Sequence, residues 1–137
     1  MPRRWRKSTA ARSTATGWRR TSTMSSPKRG EVWIAELDPT RGAEMRKRRP
    51  VVVISSDALG ALPVRLAAPC TTSSLGPSPW RVALAAKKET GLDRDTTVDL
   101  MQTRALSAER LTRRLGRLGE SEMSEIATAM AVVVEYV

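Results

Sequence analysis

The sequence predicts a mainly β domain, a small antiparallel barrel of short strands followed by one amphipathic helix. Short apolar segments with alternating or β-branched residues recur between turn-forming Gly and Pro residues. One segment near the C-terminus instead has the three-and-four spacing of an amphipathic helix. The chain has 137 residues, of which 40% are hydrophobic, so it is long enough for one domain with its own core.

The first predicted element is a strand over residues 31–37. Alternation places Val32 and Ile34 on one side of this strand and Trp33 and Ala35 on the other. Apolar residues on both sides are typical of a strand whose sheet is covered on both faces. We therefore expect this strand to lie inside the domain.

A basic loop connects the first strand to the second. Asp38-Pro39-Thr40 ends the first strand, because proline fixes its own backbone and has no amide hydrogen for a ladder. Gly42 permits a bend, and Arg46-Lys47-Arg48-Arg49 follows. Pro50 then leads into the β-branched strand 51–54. The sequence thus predicts four cations in a loop held between two strands, which is a candidate phosphate-binding site.

Later segments add three strands and a short helix. The pattern predicts strands over residues 64–70, 80–84 and 96–101. Ser107 is a candidate N-cap for a short helix that reaches Leu111. The segment 112–118 stays ambiguous, because the spacing of its leucines favours a helix and its glycines oppose a long one.

The last predicted element is the amphipathic helix. Ser121 is its predicted N-cap, and Glu122 lies in the first turn, next to the positive end of the helix dipole. Apolar residues recur at threes and fours from Met123 to Val137. This apolar face is expected to pack on the sheet.

Positive charge is concentrated in the first residues of the chain. Residues 1–29 hold nine of the 24 Lys and Arg and no acid, so the other 15 cations face all 14 acids. We therefore divide the chain into a basic, disordered extension at 1–27 and a folded domain at 28–137. Trp5 and Trp18 interleave with arginines and favour stacking on nucleic acid. The alternative is a passive tail, or an upstream extension with Met24 as the natural start.

The composition excludes several kinds of chemistry. The chain has no histidine, so imidazole serves neither as base, acid nor metal ligand. Cys70 is the only cysteine, which excludes an intrachain disulfide and zinc sites built on Cys pairs. No cofactor or metal is expected. No apolar run approaches the roughly 20 residues that span a bilayer, and no secretory signal is apparent, so no membrane role and a cytoplasmic location are expected.

Several segments, in this order, resemble the MazF/PemK family of toxins. The resemblance covers about residues 28–137. It departs from the family at Ala43, where serine is common, and at Met101-Gln102, where an acidic or Asp-Gln pair is usual. The similar segments are Arg29-Gly30-Glu31-Val32-Trp33, Leu37-Asp38-Pro39-Thr40-Arg41-Gly42-Ala43-Glu44, Arg49-Pro50-Val51-Val52-Val53, Pro69-Cys70-Thr71-Thr72-Ser73, Gly91-Leu92-Asp93-Arg94-Asp95 and Gln102-Thr103-Arg104.

The resemblance implies a fold and an activity. The implied fold is an SH3-like barrel, dimeric, of the kind shared with the CcdB gyrase poisons. The implied activity is a sequence-specific, metal-independent cut of single-stranded mRNA by attack of the ribose 2′-hydroxyl. Its products would carry 2′,3′-cyclic phosphate and 5′-hydroxyl ends. The implied partner is a MazE-like antitoxin.

The resemblance also assigns site residues. Arg49 would be the main catalytic group, and Thr71 would donate a hydrogen bond to the same phosphate. A guanidinium presents a planar fork of donors that suits phosphate oxygens, although its pKa above about 12 makes it an awkward base. The residues expected to bind RNA are Glu44, Arg46, Arg48, Thr72, Ser73 and Gln102.

Alternatives remain open for some of these residues. Glu44 can instead form a salt bridge to Arg46 or Arg48, and Gln102 can be a buried structural amide. The carboxylates of Asp93, Asp95 and Asp99 suggest either a magnesium site or, more simply, a solvated charge cluster. The competing functions are a non-enzymatic gyrase inhibitor and a nucleic-acid-binding barrel without turnover.

Overall fold

The computed structural model describes residues 26–72, 76 and 78–136. The expected disordered extension, apart from its last two residues, and Ser73 lie outside the described residues. Single-turn 3-10 helices occur at Asp57–Leu59, Leu100–Gln102 and Ala108–Arg110. The strands and the helix are β1 (Glu31–Glu36), β2 (Arg48–Val53), β3 (Val64–Thr71), β4 (Arg81–Leu84), β5 (Thr96–Asp99), β6 (Arg104–Ser107), β7 (Leu111–Arg117) and α1 (Glu120–Val133).

The seven strands form one antiparallel sheet. Its order is β4-β5-β3-β2-β1-β7, and β6 also pairs with β3. The long strand β3 pairs with β6 through residues 64–67 and with β5 through residues 70–71. Among the described residues, β4 and β7 end the strand path and do not pair with each other. The predicted mainly antiparallel β class is therefore confirmed, but backbone hydrogen bonds do not close the sheet into a barrel.

Apolar side chains cover both faces of the sheet, as the alternation in the first strand predicted. Val32 belongs to the core cluster that packs against α1, whereas Trp33 and Ala35 belong to a second cluster on the opposite face. The helix contributes three buried residues to the first cluster, namely Met123, Ile126 and Ala129. The second cluster also contains Leu37, Val51, Val53, Ala67, Leu106 and Leu111.

The second strand begins three residues earlier than predicted. Its pairing with β1 places Arg48 opposite Glu36 and Arg49 opposite Ala35. The two last cations of the basic segment therefore belong to a strand, and only the first two lie in the loop. This correction matters because a side chain on a paired strand has a fixed direction, whereas a loop side chain does not.

Residues 112–117 of the ambiguous segment belong to β7, and Leu118 follows the strand. The leucine spacing in this segment therefore does not indicate a helix. β7 pairs with β1, and the register shifts twice along that pairing. Such irregularities break the period of two, which explains why the spacing suggested a helix. Strand β6 was not predicted, and the last predicted strand ends at Asp99, two residues early, in a 3-10 turn.

The predicted helix caps have different outcomes. Ser107 caps as expected, since its Oγ accepts from the Glu109 amide at 3.4 Å, although the turn that follows is a 3-10 turn. Ser121 does not cap α1, because the N-cap is Gly119, whose amide donates to Glu122 Oε1 at 2.8 Å. In the described part of the chain, no helix has both the length and the apolar character needed to cross a membrane.

Gly91 lies where a side chain has no room, which gives a first test of the fold. Its φ is +74°, and an added Cβ would overlap the carbonyl oxygen of Leu115. We expect Gly91→Ala to lower the free energy of unfolding by roughly 2–5 kcal/mol, from left-handed backbone strain and overpacking together. The control is Gly76→Ala, because no atom of the described residues lies within 4 Å of a Cβ there. Urea unfolding that gives equal stability for the two variants would contradict the close approach of Gly91 to Leu115.

Candidate active site

An open cleft of about 300 Å³ lies where β2 begins and β3 ends. It joins the basic segment to the end of the Pro-Cys-Thr-Thr segment, two regions that the sequence analysis had assigned to one site. The residues that line it are Arg46, Lys47, Arg48, Arg49, Pro50, Cys70, Thr71, Thr72 and Thr96.

Strand register brings Arg49 and Thr71 together. β2 and β3 pair with Val51 opposite Pro69. Beyond that pair, β3 continues beside β5, where Thr71 pairs with Thr97. Arg49 lies two residues before Val51 on β2, and Thr71 lies two residues after Pro69 on β3, so both residues lie at the same end of this strand pair. The two predicted catalytic residues therefore line one cleft.

The Arg49 guanidinium is anchored at one nitrogen. Its Nε donates to the carbonyl oxygen of Arg46 at 3.0 Å. Within the described part of the chain, its two terminal amino groups donate no hydrogen bond. A guanidinium has five N–H donors, so four remain for a ligand in the cleft. An anchored fork of this kind is suited to bind two oxygens of one phosphate.

Thr71 is mostly buried, at 8% exposure, and lies at the last position of β3. It is paired with Thr97 of β5. Thr96, the neighbouring residue on β5, also lines the cleft. Sequence reasoning missed Thr96, because nothing in its own segment indicates that β5 pairs beside β3.

The cleft carries net positive charge. Arg48 pairs with Glu36, with Nε and Oε2 3.0 Å apart, but both side chains are largely exposed, so this pair contributes little stability. In the described residues, Arg46, Lys47 and Arg49 form no salt bridge. Three uncompensated cations around one cleft attract a polyanion, and this attraction is strongest at low salt.

Cys70 forms part of the cleft wall as a neutral thiol. The residue is fully buried, and burial raises the pKa of its thiol from 9.0 to about 12, despite the opposing effect of the nearby Arg49 charge. A thiolate at this position would neutralise the guanidinium. Since the group stays protonated, the charge of Arg49 is left for a ligand.

Two of the predicted RNA-binding residues make contacts within the chain. Glu44 Oε1 accepts from the Arg41 amide at 2.7 Å, so the carboxylate shapes its own loop. Glu44 forms no salt bridge with Arg46 or Arg48 among the described residues. Gln102 uses both ends of its amide on loop backbone, at Ala43 and Met45.

The remaining RNA-binding predictions are Thr72 and Ser73. Thr72 is exposed and lines the cleft, beside the predicted catalytic threonine. Ser73 is outside the residues that the structure describes.

The acidic residues that suggested a magnesium site have other contacts. Asp95 Oδ1 accepts from the Ala86 amide at 2.9 Å, and Asp99 Oδ1 accepts from the Met101 amide at 3.0 Å. The other oxygen of Asp99 lies 3.9 Å from Arg81 Nε. Across the described residues, no group of three Cys, Asp or Glu side chains is placed to hold a metal ion. The structure therefore gives the magnesium hypothesis no support.

Fold and site together define a small antiparallel β protein with a cationic cleft that suits phosphate. The family of PemK-like, MazF-like toxins of type II toxin–antitoxin systems matches residues 28–134. That match covers most of the chain, and the protein belongs to this family.

Individual relatives agree with the family match. Endoribonuclease MazF9 of Mycobacterium tuberculosis is 36% identical over 109 residues, which are 75% of this chain and 92% of that protein. The probable endoribonuclease MazF5 of the same organism is 41% identical over 113 residues, covering 80% and 94%. A crystal structure of MazE–MazF from Deinococcus radiodurans has the same fold, with a TM-score of 0.66, 24% identity and coverage of 82% and 98%.

The buried thiol predicts a pH dependence of stability. At pH 8 Cys70 is protonated in the folded and unfolded chains, whereas at pH 10 it ionises only when unfolded, because its folded pKa is about 12. The contribution of the neutral thiol to the free energy of unfolding is thus complete below pH 9.0 and declines as the pH rises towards about 12.

Between pH 8 and pH 10, the free energy of unfolding should fall by roughly 1 kcal/mol more in the wild type than in Cys70→Ala. Urea titrations of both proteins at the two pH values measure this difference, and the alanine variant removes the contribution of all other titrating groups. An equal decrease in the free energy of unfolding of the two proteins would show that burial does not raise the pKa of this thiol.

Proposed function

We propose that this protein is an endoribonuclease toxin that cleaves single-stranded mRNA at a short sequence without a metal ion. The observation that carries the proposal is the anchored guanidinium of Arg49, which lines a cationic cleft together with Thr71. Both relatives described above are named endoribonucleases, the MazF5 relative as a probable one. Because RNA carries its own nucleophile, the protein need only orient the phosphate, stabilise added negative charge and move protons.

The proposed reaction is an internal transfer at phosphorus. The ribose 2′-oxygen forms a bond to the adjacent phosphorus, and the bond from phosphorus to the 5′-oxygen of the next nucleotide breaks. The 2′-hydroxyl loses a proton, and the leaving 5′-oxygen gains one, so atoms and charge balance. The products carry a 2′,3′-cyclic phosphate and a 5′-hydroxyl.

Arg49 and Thr71 would share the stabilisation of the transition state. The free donors of the guanidinium bind the non-bridging oxygens, where negative charge grows, and the threonine hydroxyl donates to the same phosphate. Family resemblance extends the role of Arg49 to proton transfer. The chain has no histidine to perform that task.

Substrate contacts surround these two groups. Arg46 and Arg48 would hold phosphates on either side of the scissile bond, which gives affinity without sequence preference. Thr72 and Ser73 would contact the RNA next to Thr71. Glu44 lies in the same loop, where its free carboxylate oxygen would accept from a base edge.

The proposal includes partners and a domain boundary. As a member of a toxin–antitoxin family, the protein would be inhibited by a MazE-like antitoxin and would form a homodimer. Residues 28–137 would be the toxin domain, and residues 1–27 a dispensable basic extension. Its action on mRNA would take place in the cytoplasm.

Arg49 provides the direct test of the activity. Purified wild-type protein should cleave single-stranded RNA with EDTA present, and Arg49→Ala should lower the rate by roughly 1000-fold or more, because the main group that stabilises the anionic transition state is lost. The control is Arg117→Ala, at the end of β7 opposite Glu31, which should cleave at the wild-type rate.

Three results would overturn the proposal. One is wild-type cleavage by Arg49→Ala, and another is a requirement for a divalent cation. The third is inhibition of gyrase supercoiling without RNA cleavage, which would favour the non-enzymatic alternative.

Thr71 gives a smaller and separable effect. Thr71→Val keeps the volume of the side chain and removes the hydroxyl, so kcat should fall by roughly 100- to 1000-fold. Thr112→Val on β7 also removes a strand hydroxyl, one that donates to Ile34 O at 3.2 Å, and should retain full activity. Single-turnover cleavage assays compare the two. Equal rates would assign Thr71 a purely structural role.

A further inference from the structure

We infer that Gln102 is a positioning residue. It fixes the orientation of the Arg49 guanidinium through the loop between β1 and β2. This loop, residues 37–47, is called the basic loop below. The inference rests on the proposed function, because it explains how the same site is held in shape. It assigns Gln102 a role different from contact with a base.

The amide of Gln102 is bonded at both ends to the basic loop. Its Oε1 accepts from the Met45 amide at 3.0 Å, and its Nε2 donates to the Ala43 carbonyl oxygen at 3.2 Å. Among the described residues, no strand pairs with this stretch of loop backbone, and the Gln102 side chain provides hydrogen bonds to it instead. With both groups engaged, the amide has less capacity to read a base edge.

The basic loop in turn contacts the guanidinium of Arg49. Met45 is followed by Arg46, whose carbonyl oxygen accepts from Arg49 Nε at 3.0 Å. A guanidinium is planar and rigid, so the direction of its Nε–H bond also sets the direction of its free amino groups. A displacement of Met45 would displace the Arg46 carbonyl and would reorient the guanidinium of Arg49.

Gln102 is itself held in place. It is the last residue of a single-turn 3-10 helix whose first residue, Leu100, is 1% exposed. Asp99 caps this turn through the Met101 amide, and Thr103 Oγ1 donates to Leu100 O at 2.7 Å. Gln102 can position the basic loop only if Gln102 is itself fixed, because its own motion would otherwise be transmitted to the cleft.

Two arginines hold the beginning of the same loop. Arg110 Nη1 donates to the carbonyl oxygens of Asp38 at 2.6 Å and Glu36 at 2.9 Å. Arg104 Nη1 donates to Leu37 O at 3.2 Å. The start of the loop therefore stays in place when Gln102 is changed. Substitution of Gln102 should loosen the loop at residues 43–46 without unfolding the domain.

The test measures the loop and the reaction separately in the full-length protein. In Gln102→Ala, hydrogen exchange at the Met45 amide should rise by roughly 10-fold or more, because its acceptor is gone. In the same variant, kcat should fall by roughly 10- to 100-fold with KM within about twofold of wild type, as expected for a misplaced catalytic group. Met101→Ala is the control, since its side chain is 62% exposed and lies in the same turn.

Two further comparisons distinguish positioning from base reading. If Gln102 acts through Arg49, adding Gln102→Ala to Arg49→Ala should cause no further loss of activity. The loss in Gln102→Ala alone should also be the same for RNA substrates that differ at each base around the cut. Gln102→Glu keeps an acceptor for Met45 but sets a carboxylate against the Ala43 carbonyl, so it should stay impaired.

The outcomes separate this inference from the proposed function. Unchanged exchange at Met45, wild-type kcat in Gln102→Ala, or losses that depend on base identity would overturn the positioning role while leaving the nuclease in place. A wild-type protein without RNA cleavage would overturn the proposed function. Exchange at Met45 would still decide whether Gln102 holds the loop.

Discussion

The pairing of β2 with β3 is the constraint on which the rest of the site depends. It brings the start of β2, which carries Arg49, next to the end of β3, which carries Thr71, so that both residues line one cleft. A slip of one residue would move one of the two side chains to the other face of the sheet. The apolar clusters on both faces resist such a slip, because Val51 and Val52 belong to different clusters and would exchange environments.

Charge, rather than an imidazole, dominates the chemistry that this site offers. Four cations line the cleft, and within the described part of the chain Arg48 is the only one of these four with a carboxylate partner. The buried thiol of Cys70 remains neutral next to the guanidinium. Preorganised positive charge in a partly buried setting is an efficient way to stabilise an anionic transition state, since no solvent has to reorganise during the reaction.

Much of the fold was predictable, because local patterns decide it. The alternation around Trp33 predicted a strand with both faces covered, and the spacing from Met123 onwards predicted the terminal helix. Strand β7 was not predictable, since its register shifts hide the period of two. Gly119 was missed as a cap, because the bond is made by Glu122 from within the helix.

For the site, the sequence indicated Arg49 and Thr71 through family resemblance. The register that joins them required the structure. Spacing along the chain also gave no indication that Gln102 would contact a loop almost 60 positions away. Contacts of this length depend on tertiary packing, which local patterns do not encode.

The position of β1 has a consequence for synthesis on the ribosome. Of the strands that the structure describes, β1 is the first and β7 is the last, yet the two are paired, with Glu31 opposite Arg117. Nearly the whole domain must therefore be translated before β1 is enclosed on both sides. Such long-range pairing folds slowly. The sheet behind the cleft can therefore be completed only after residues 111–117 have been synthesised.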